Sequence, residues 1–415
     1  MPDFDADAYL DSLEPIGWRL GLERMYKLTT ALGMPQHRFA SIHVVGTNGK
    51  SSVTRMTAAL LEAHGVAAGA CLSPHTGRWA ERTLVHGEEV GAAEWADAVE
   101  RVARAAEGVN RSLDEGDAVT QFEAATAATF VALASARVEV ATIEAGLGGR
   151  LDATNTIPSR VTVLTSIGLD HTEWLGESEL EIATEKLAVL RDQTTLVLGR
   201  VSAAVEALAE RTAAERGARL LRAPEDPGPE LRLLAAGGFQ RRNFALARTA
   251  AEAFLGELDP ERVAGVAASV AVPGRLERVA DDPPTFVDAA HNPDGAAALA
   301  EALPAVSGGR PVVACLAILA DKDAAAMVRA LAPALERAVC TELPAAQRPS
   351  VAAAELAELC REAGLAAEAE PGFAAALGQA RGLASELPAG ILLVAGSHYA
   401  IAPARAALAP HGRGD

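Results

Sequence analysis

Residues 41–52 read SIHVVGTNGKSS, and the reading of this stretch decides the fold. Ile42–Val45 is a short apolar run of strand character. Gly46, Thr47, Asn48, Gly49 and Lys50 form a glycine-bearing loop, and a helix is expected from about Ser51. Strand, loop and helix in this order suit phosphate. Glycines let the backbone approach closely, N–H groups of the loop and helix end point at anionic oxygens, and lysine adds a point charge. A hydroxyl just after the lysine can reach a magnesium ion. The generic phosphate-loop pattern has one more glycine where this chain has Val44, so the match is incomplete. A plain Gly-Asn turn between strand and helix is the competing reading.

Outward from this stretch the same alternation repeats. Short apolar runs lie at Val138–Ile143, Val161–Ile167, Thr195–Leu198, Thr285–Val287, Pro311–Leu316 and Ile391–Val394, separated by longer alanine-rich segments. Continuous apolar strands alternating with helices predict mainly parallel sheets covered on both faces, an α/β fold. An aromatic content of 4% fits packing by Ala, Leu and Val. A chain of 415 residues has room for two or three domains. The stretch Ala271–Arg275, AVPGR, ends a helical run and opens a new strand–helix series, which places the boundary near Val272. The expected division is a nucleotide-binding domain over residues 1–272 and a smaller α/β domain over 273–415. Ligands of such sheets bind at the carboxyl ends of the strands.

Composition removes several function classes. A net charge of −18 disfavours non-specific nucleic-acid binding. No apolar run is long enough to span a bilayer. Asp3, Asp5 and Asp7 make the N-terminus unlike a secretory signal. The expectation is a cytoplasmic protein without nucleic-acid or membrane partners. Cys71, Cys315, Cys340 and Cys360 have no metal-ligand spacing and read as reduced, mostly buried thiols.

Four further motifs carry chemistry. Val140–Asn155, VATIEAGLGGRLDATN, ends a buried strand on Glu144 before a glycine-rich turn. A dinucleotide fingerprint would need glycine at Leu151, so hydride transfer is not expected. Glu144 is placed either for magnesium or as a solvated strand-end acid. Thr165–Gly176, TSIGLDHTEWLG, offers Asp170 and His171, the latter as a metal ligand or as a helix cap. Ala70–Arg82, ACLSPHTGRWAER, presents a hydroxyl and an imidazole in a Ser-Pro-His turn, without the G-x-S-x-G pattern of a serine hydrolase. In the C-terminal part stand Pro273-Gly274-Arg275, then Val287–Gly295 (VDAAHNPDG), then Asp321-Lys322-Asp323. Asp288 and His291 there lie at a strand end.

Taken together and in order, these motifs resemble the folylpolyglutamate synthase/dihydrofolate synthase family, within the Mur ligase group. The resemblance runs from Gly21-Leu22-Glu23-Arg24-Met25 to Gly396-Ser397-His398-Tyr399, nearly the whole chain. It implies a P-loop ATP-binding domain and a Rossmann-like C-terminal domain. It also implies that the ligase joins L-glutamate to a dihydropteroate or folate carboxylate through an acyl phosphate, releasing ADP and phosphate.

By position, the resemblance assigns ATP to Gly46–Ser52, with Asn243, Arg275, Asp288 and His291. It assigns magnesium, two ions suiting the ligand set, to Ser52, Ser73, Glu144 and His171. Lys186 matches the family's carbamylated lysine and joins Lys50, Glu144 and His171 as the catalytic set. The pteroate surface would comprise Trp18, Arg19, Leu20, Pro74, His75, Arg82, Thr120, Gln121, Phe122, Glu123, Leu151, Asp152 and Ala153. Ser397 falls to the glutamate site. A monomer is expected.

The chain departs from the family in places. Ser51 stands where glycine is usual, so either Ser51 or Ser52 can meet the metal. Leu187 follows Glu185-Lys186, Ala289 replaces glycine in Asp-Gly-Ala-His, and His398 replaces leucine in Ser-Leu-Tyr. A ligase acting on nucleotide-linked cell-wall precursors and a non-catalytic nucleotide-binding regulator are the rival readings.

Overall fold

The computed structural model describes residues 4–14, 21–344 and 348–408. Trp18, Arg19 and Leu20, expected at the pteroate surface, lie outside the described residues. The chain divides into two compact units. One holds Met1–Arg232 and Arg241–Val270, the other Leu233–Gln240 and Ala271–Asp415.

The first unit is built on an eight-stranded sheet. Its strands are β1 (Ala40–Val45), β2 (Ala68–Cys71), β3 (Thr83–Val85), β4 (Glu88–Glu89), β5 (Val140–Glu144), β6 (Ser159–Leu164), β7 (Thr195–Leu198) and β8 (Arg219–Arg222), in the order β4-β3-β2-β5-β1-β6-β7-β8. From β2 to β8 every pair is parallel. β3 and β4 are antiparallel additions at one edge. β1 and β5 are buried along almost their whole length, as strands covered on both faces are, and even their Ser41, His43 and Thr142 are buried. The edge strands β4 and β8 are short and charged, and such strands leave little periodicity to read.

Helix Lys50–Ala63 packs on β2 and β5. Helix Gln121–Ser135 has no polar face. Residues Gln121 to Leu133 are all buried, against helix Ala92–Asn110 among others. A helix apolar on every side can stand only inside a core. Its start is fixed by a capping box in which Thr120 and Glu123 bond reciprocally. Glu123 also accepts from Arg24 Nε at 3.0 Å, and Arg24 Nη1 reaches Asp117 at 3.3 Å. Arg24 and Glu123 are both buried, so each charge depends on the other.

The second unit carries a six-stranded sheet: β9 (Glu277–Asp281), β10 (Pro284–Val287), β11 (Val312–Leu316), β12 (Arg337–Cys340), β13 (Ala366–Ala369) and β14 (Ile391–Ala395). The order is β13-β12-β11-β14-β10-β9, parallel except for β9. Val312, Ala314 and Leu316 face one core, while Val313 and Cys315 face another. Alternate side chains of one strand thus serve two covered faces. Phe239, from Leu233–Gln240, packs on the first of these cores.

All four cysteines are buried free thiols, and burial pushes Cys71 and Cys315 up to about 12. Among the described residues, no helix is long and apolar enough to cross a membrane.

Removing one member of a buried ion pair leaves the other charge stranded. Arg24→Ala is expected to lower unfolding stability by about 3–5 kcal/mol, read from the shift of the urea midpoint at constant slope.

Candidate active site

The register of three central strands assembles the site. Val44 of β1 lies opposite Glu144 of β5, and Val45 lies opposite Leu164 of β6. The loop after β1 therefore emerges beside the end of β5 and the continuation of β6. Thr165 N donates to Val45 O at 2.9 Å, and Thr47 N donates to Ser166 O at 2.8 Å. Asn48 N donates to Ser166 Oγ at 3.0 Å, and Thr165 Oγ1 donates to Asn48 O at 2.7 Å.

Both loop glycines are required by shape. Gly46 has φ +148°, and a Cβ there would lie 1.9 Å from Thr165 Oγ1. Gly49 has φ +85°, and its Cβ would lie 2.6 Å from Asn243 Oδ1. Asn243, which the family resemblance assigns to ATP, is thus beside the loop. Helix Lys50–Ala63 starts at once, and Lys50 Nζ turns back to Thr47 O at 3.1 Å.

Glu144 is buried at the end of β5 and is gripped from both sides. Ser51 Oγ donates to its Oε1 at 2.9 Å, and Ser73 N donates to its Oε2 at 3.0 Å. Of the two candidate serines, Ser51 is therefore the one at Glu144, while the neighbouring Ser52 is buried on the helix. His171 is left-handed at φ 53° and precedes helix Thr172–Leu175. Its N–H donates to Asp170 Oδ1 at 3.0 Å.

Among the described residues no three His, Cys, Asp or Glu side chains form a metal cage. Magnesium does not need one, because one or two carboxylates plus substrate phosphates and waters commonly hold it. An oxygen-rich set of Glu144 and serine hydroxyls fits that ion better than a softer one.

Lys186 lies at the end of helix Glu179–Leu187 and is buried. Burial first, then the nearby Lys50 charge, pushes its pKa down to about 7, against the opposing pull of Asp170, Asp152 and Glu185. The glycine-rich turn lies directly on this helix, for a Cβ on Gly149 would come within 2.9 Å of Lys186 Cα. Asp152 organises the turn by accepting from Leu147 N at 2.8 Å and Thr154 N at 3.0 Å. Thr154 Oγ1 meets His43 Nε2 at 2.9 Å. Burial raises the Asp152 pKa, and these donors oppose the rise.

The expected pteroate residues fall into two groups. Ser73–Arg82 forms a loop at the carboxyl end of β2, where Arg82 Nε donates to His75 Nδ1 at 2.9 Å. Thr120–Glu123 opens the buried helix. There the polar atoms serve the fold: Gln121 Nε2 donates to Leu10 O at 3.0 Å, and Glu123 holds Arg24. Phe122 covers Gly146, whose Cβ would meet the ring at 2.3 Å. Leu151 is half-buried, and Ala153 is buried.

In the second unit the neighbouring parallel strands β10 and β14 bring Asp288–His291 and Ser397–Tyr399 to the same sheet end. Asp288 accepts from Leu276 N and Ala290 N, both at 2.8 Å. Burial raises its pKa, with Arg275 acting the other way. His291 Nδ1 is 3.0 Å from Ala289 O, and its ring stands edge-on to His398 with centroids 6.3 Å apart.

Residues that motif reading did not single out also build the site. Thr165 and Ser166 brace the phosphate-type loop, and Trp79 anchors the Ser73–Arg82 loop. Thr165 and Ser166 open the stretch Thr165–Gly176, where their position just after β6 is the signal for this role.

Residues 274–398 match the family model described as Mur ligase, glutamate ligase domain. Over 358 residues the chain is 36% identical to dihydrofolate synthase/folylpolyglutamate synthase of Mycobacterium tuberculosis, covering 77% of this chain and 74% of that protein. The chain belongs to the folylpolyglutamate synthase/dihydrofolate synthase family. A solved structure of Mycobacterium tuberculosis folylpolyglutamate synthase complexed with ADP superposes with a TM-score of 0.90, at 31% identity over 97% of both chains. The bifunctional enzyme from Yersinia pestis, complexed with AMPPNP and Mn ion, gives 0.83 at 29% identity, over 97% of this chain and 96% of that one. Like these family members, the chain pairs two mostly parallel α/β sheets.

The glycine geometry separates a local backbone cost from a ligand-site cost. Gly65 has φ +83° with open space around it, whereas Gly49 has φ +85° against Asn243. Gly65→Ala is expected to cost about 1–2 kcal/mol of stability and leave ADP affinity intact. Gly49→Ala is expected to weaken ADP binding by about tenfold or more, measured by isothermal titration calorimetry, because the loop must shift to clear the contact.

Proposed function

We propose that this chain is an ATP-dependent ligase that joins L-glutamate to the carboxylate of a dihydropteroate or reduced folate. The observation that carries the reading is the cluster around the glycine loop. Lys50 and the Gly46–Gly49 backbone stand beside a Glu144 carboxylate tied to Ser51 and to the Ser73 loop. Membership of a family of glutamate ligases supplies the reaction class.

A carboxylate resists an amine because its oxygen is a poor leaving group. An acceptor carboxylate oxygen first attacks the γ-phosphorus of ATP, and ADP departs. The glutamate amine, as the free base, then attacks the acyl carbon. The carbon–oxygen bond to phosphate breaks, and the amine proton is lost. Negative charge spreads over the transferring oxygens, so fixed positive groups do most of the work. Lys50 and the N–H groups where the loop enters helix Lys50–Ala63 supply them as in a P-loop. Ser51 or Ser52, Ser73, Glu144 and His171 would hold magnesium, which neutralises phosphate charge when bound. In the second unit Arg275, Asp288 and His291 are assigned to nucleotide and Ser397 to glutamate.

The purified chain is expected to release phosphate only when ATP, magnesium, L-glutamate and either dihydropteroate or a reduced folate are all present. A nucleotide-linked cell-wall precursor should not replace the acceptor. Lys50→Ala should lower the rate on the order of 100-fold. A Lys50→Ala protein with near-normal turnover would refute the assignment.

Lys186 is the proposed carbamate site. Carbamylation needs a neutral amine, and a buried lysine with its pKa near 7 supplies one at cellular pH. The modification exchanges a cation for an anion with two oxygens, which can orient neighbouring groups. The neutral fraction grows as pH rises through about 7. Activation by bicarbonate should therefore increase from pH 6 to pH 8. Lys186→Ala should lose most activity and regain part of it with added formate or acetate. A mass spectrum and activity indifferent to bicarbonate across this range would reject the carbamate.

A further inference from the structure

The connection between β2 and β3 contains a bonded group that the reaction above leaves without a role. It centres on Glu81, in the short helix Trp79–Arg82. Glu81 Oε2 accepts from Thr76 N at 2.8 Å and from Thr76 Oγ1 at 2.7 Å. Its Oε1 accepts from Gly77 N at 3.0 Å and Arg78 N at 2.9 Å. One carboxylate thus satisfies three consecutive backbone donors in a segment outside any strand or helix. Burial alone would raise the pKa of this carboxyl, but the Thr76, Arg78 and Gly77 donors outweigh it and hold the group below its ordinary value.

The segment tied down in this way carries a stack. The Trp79 ring lies 4.4 Å from the His75 ring and 4.4 Å from the Arg82 guanidinium. Trp79 itself is buried, and its Nε1 donates to Asp11 Oδ1 at 2.9 Å. Arginine can only donate, so the Arg82 Nε bond to His75 Nδ1 makes that nitrogen an acceptor and puts the imidazole hydrogen on Nε2. The loop therefore offers a neutral N–H donor and a guanidinium, both fixed on an aromatic plate. The backbone N–H of Ser73, at the start of the same loop, is bonded to Glu144.

We propose that Glu81 is a positioning residue for the acceptor: by tying down Thr76–Arg78 it preforms the wall on which His75 and Arg82 meet the anionic pteroate-type acceptor. This rests on the acceptor reading given above. The physical reason is population. When the tie is cut, the loop visits other conformations. The apparent acceptor affinity then falls by the fraction of time that the competent one is occupied. ATP is held chiefly by the Gly46–Lys50 loop, and Ser73 keeps its own backbone bond to Glu144, so the ATP site changes little when the Thr76–Arg78 tie is cut.

The test is steady-state phosphate release by the full chain, varying dihydropteroate or reduced folate at saturating ATP and glutamate. Glu81→Ala is expected to raise the acceptor KM about tenfold, with kcat and the ATP KM within about twofold of wild type. Glu81→Gln keeps one accepting oxygen and should give a rise of about threefold. It also decides the matter if the alanine variant does not fold. Variants with wild-type melting temperature and unchanged acceptor KM would overturn the proposal. So would a fall in kcat accompanied by an equal change in the ATP KM, which marks general damage. A wild-type chain that releases no phosphate with either acceptor defeats the ligase reading itself. That result is distinct from a working enzyme whose acceptor KM ignores Glu81.

Discussion

The parallel register of β5, β1 and β6 is the constraint on which the first unit's chemistry depends. Val44 opposite Glu144 and Val45 opposite Leu164 leave three strand ends level with one another. Gly46 then has no room for a side chain, because Thr165 occupies it. A slip of one residue would turn every side chain to the opposite face. Glu144 would leave Ser51, and Thr165 would no longer cap the loop. The strands are buried on both faces, so a slip would also break the packing of the covering helices. The site borrows its precision from the core.

Charge is the second constraint. Lys186 is buried near Lys50, and two cations in such surroundings disfavour each other. Asp152 is buried as well and is satisfied by backbone donors of the turn that rests on Lys186. Buried charges of this kind cost stability unless paired and hydrogen-bonded. The contrast with Arg24 is instructive. Arg24 sits between two carboxylates, whereas burial and the nearby Lys50 lower the pKa of Lys186. A lysine with a depressed pKa is suited to chemistry in a way that a paired arginine is not.

Much of this is legible in the sequence. The buried strands declared themselves because parallel strands covered on both faces are rich in Val, Ile and Leu. The phosphate-type loop, Glu144 at a strand end and the Asp288–His291 motif each follow from local patterns with a local physical meaning. The edge strands β4, β8, β9 and β13 did not, since short strands with exposed residues carry little periodicity. The segment Leu233–Gln240 belongs to the second unit through the packing of Phe239, a partner choice without a sequence signal.

By itself the sequence determined which residues could carry charge, hydroxyl or backbone flexibility, and in what order along an α/β chain, because those properties are local. Which of them meet was decided only in three dimensions. Ser51 rather than Ser52 faces Glu144 because successive residues of a helix point about 100° apart and only one can look along β5. Glu123 and Gln121 bond Arg24 and Leu10 from distant parts of the chain. Glu81 stands in the Ala70–Arg82 stretch with no sequence signal for its partners, yet the fold closes the loop so that its carboxylate gathers three backbone N–H groups. Such partnerships depend on register, helix phase and loop closure, which no single stretch of sequence contains.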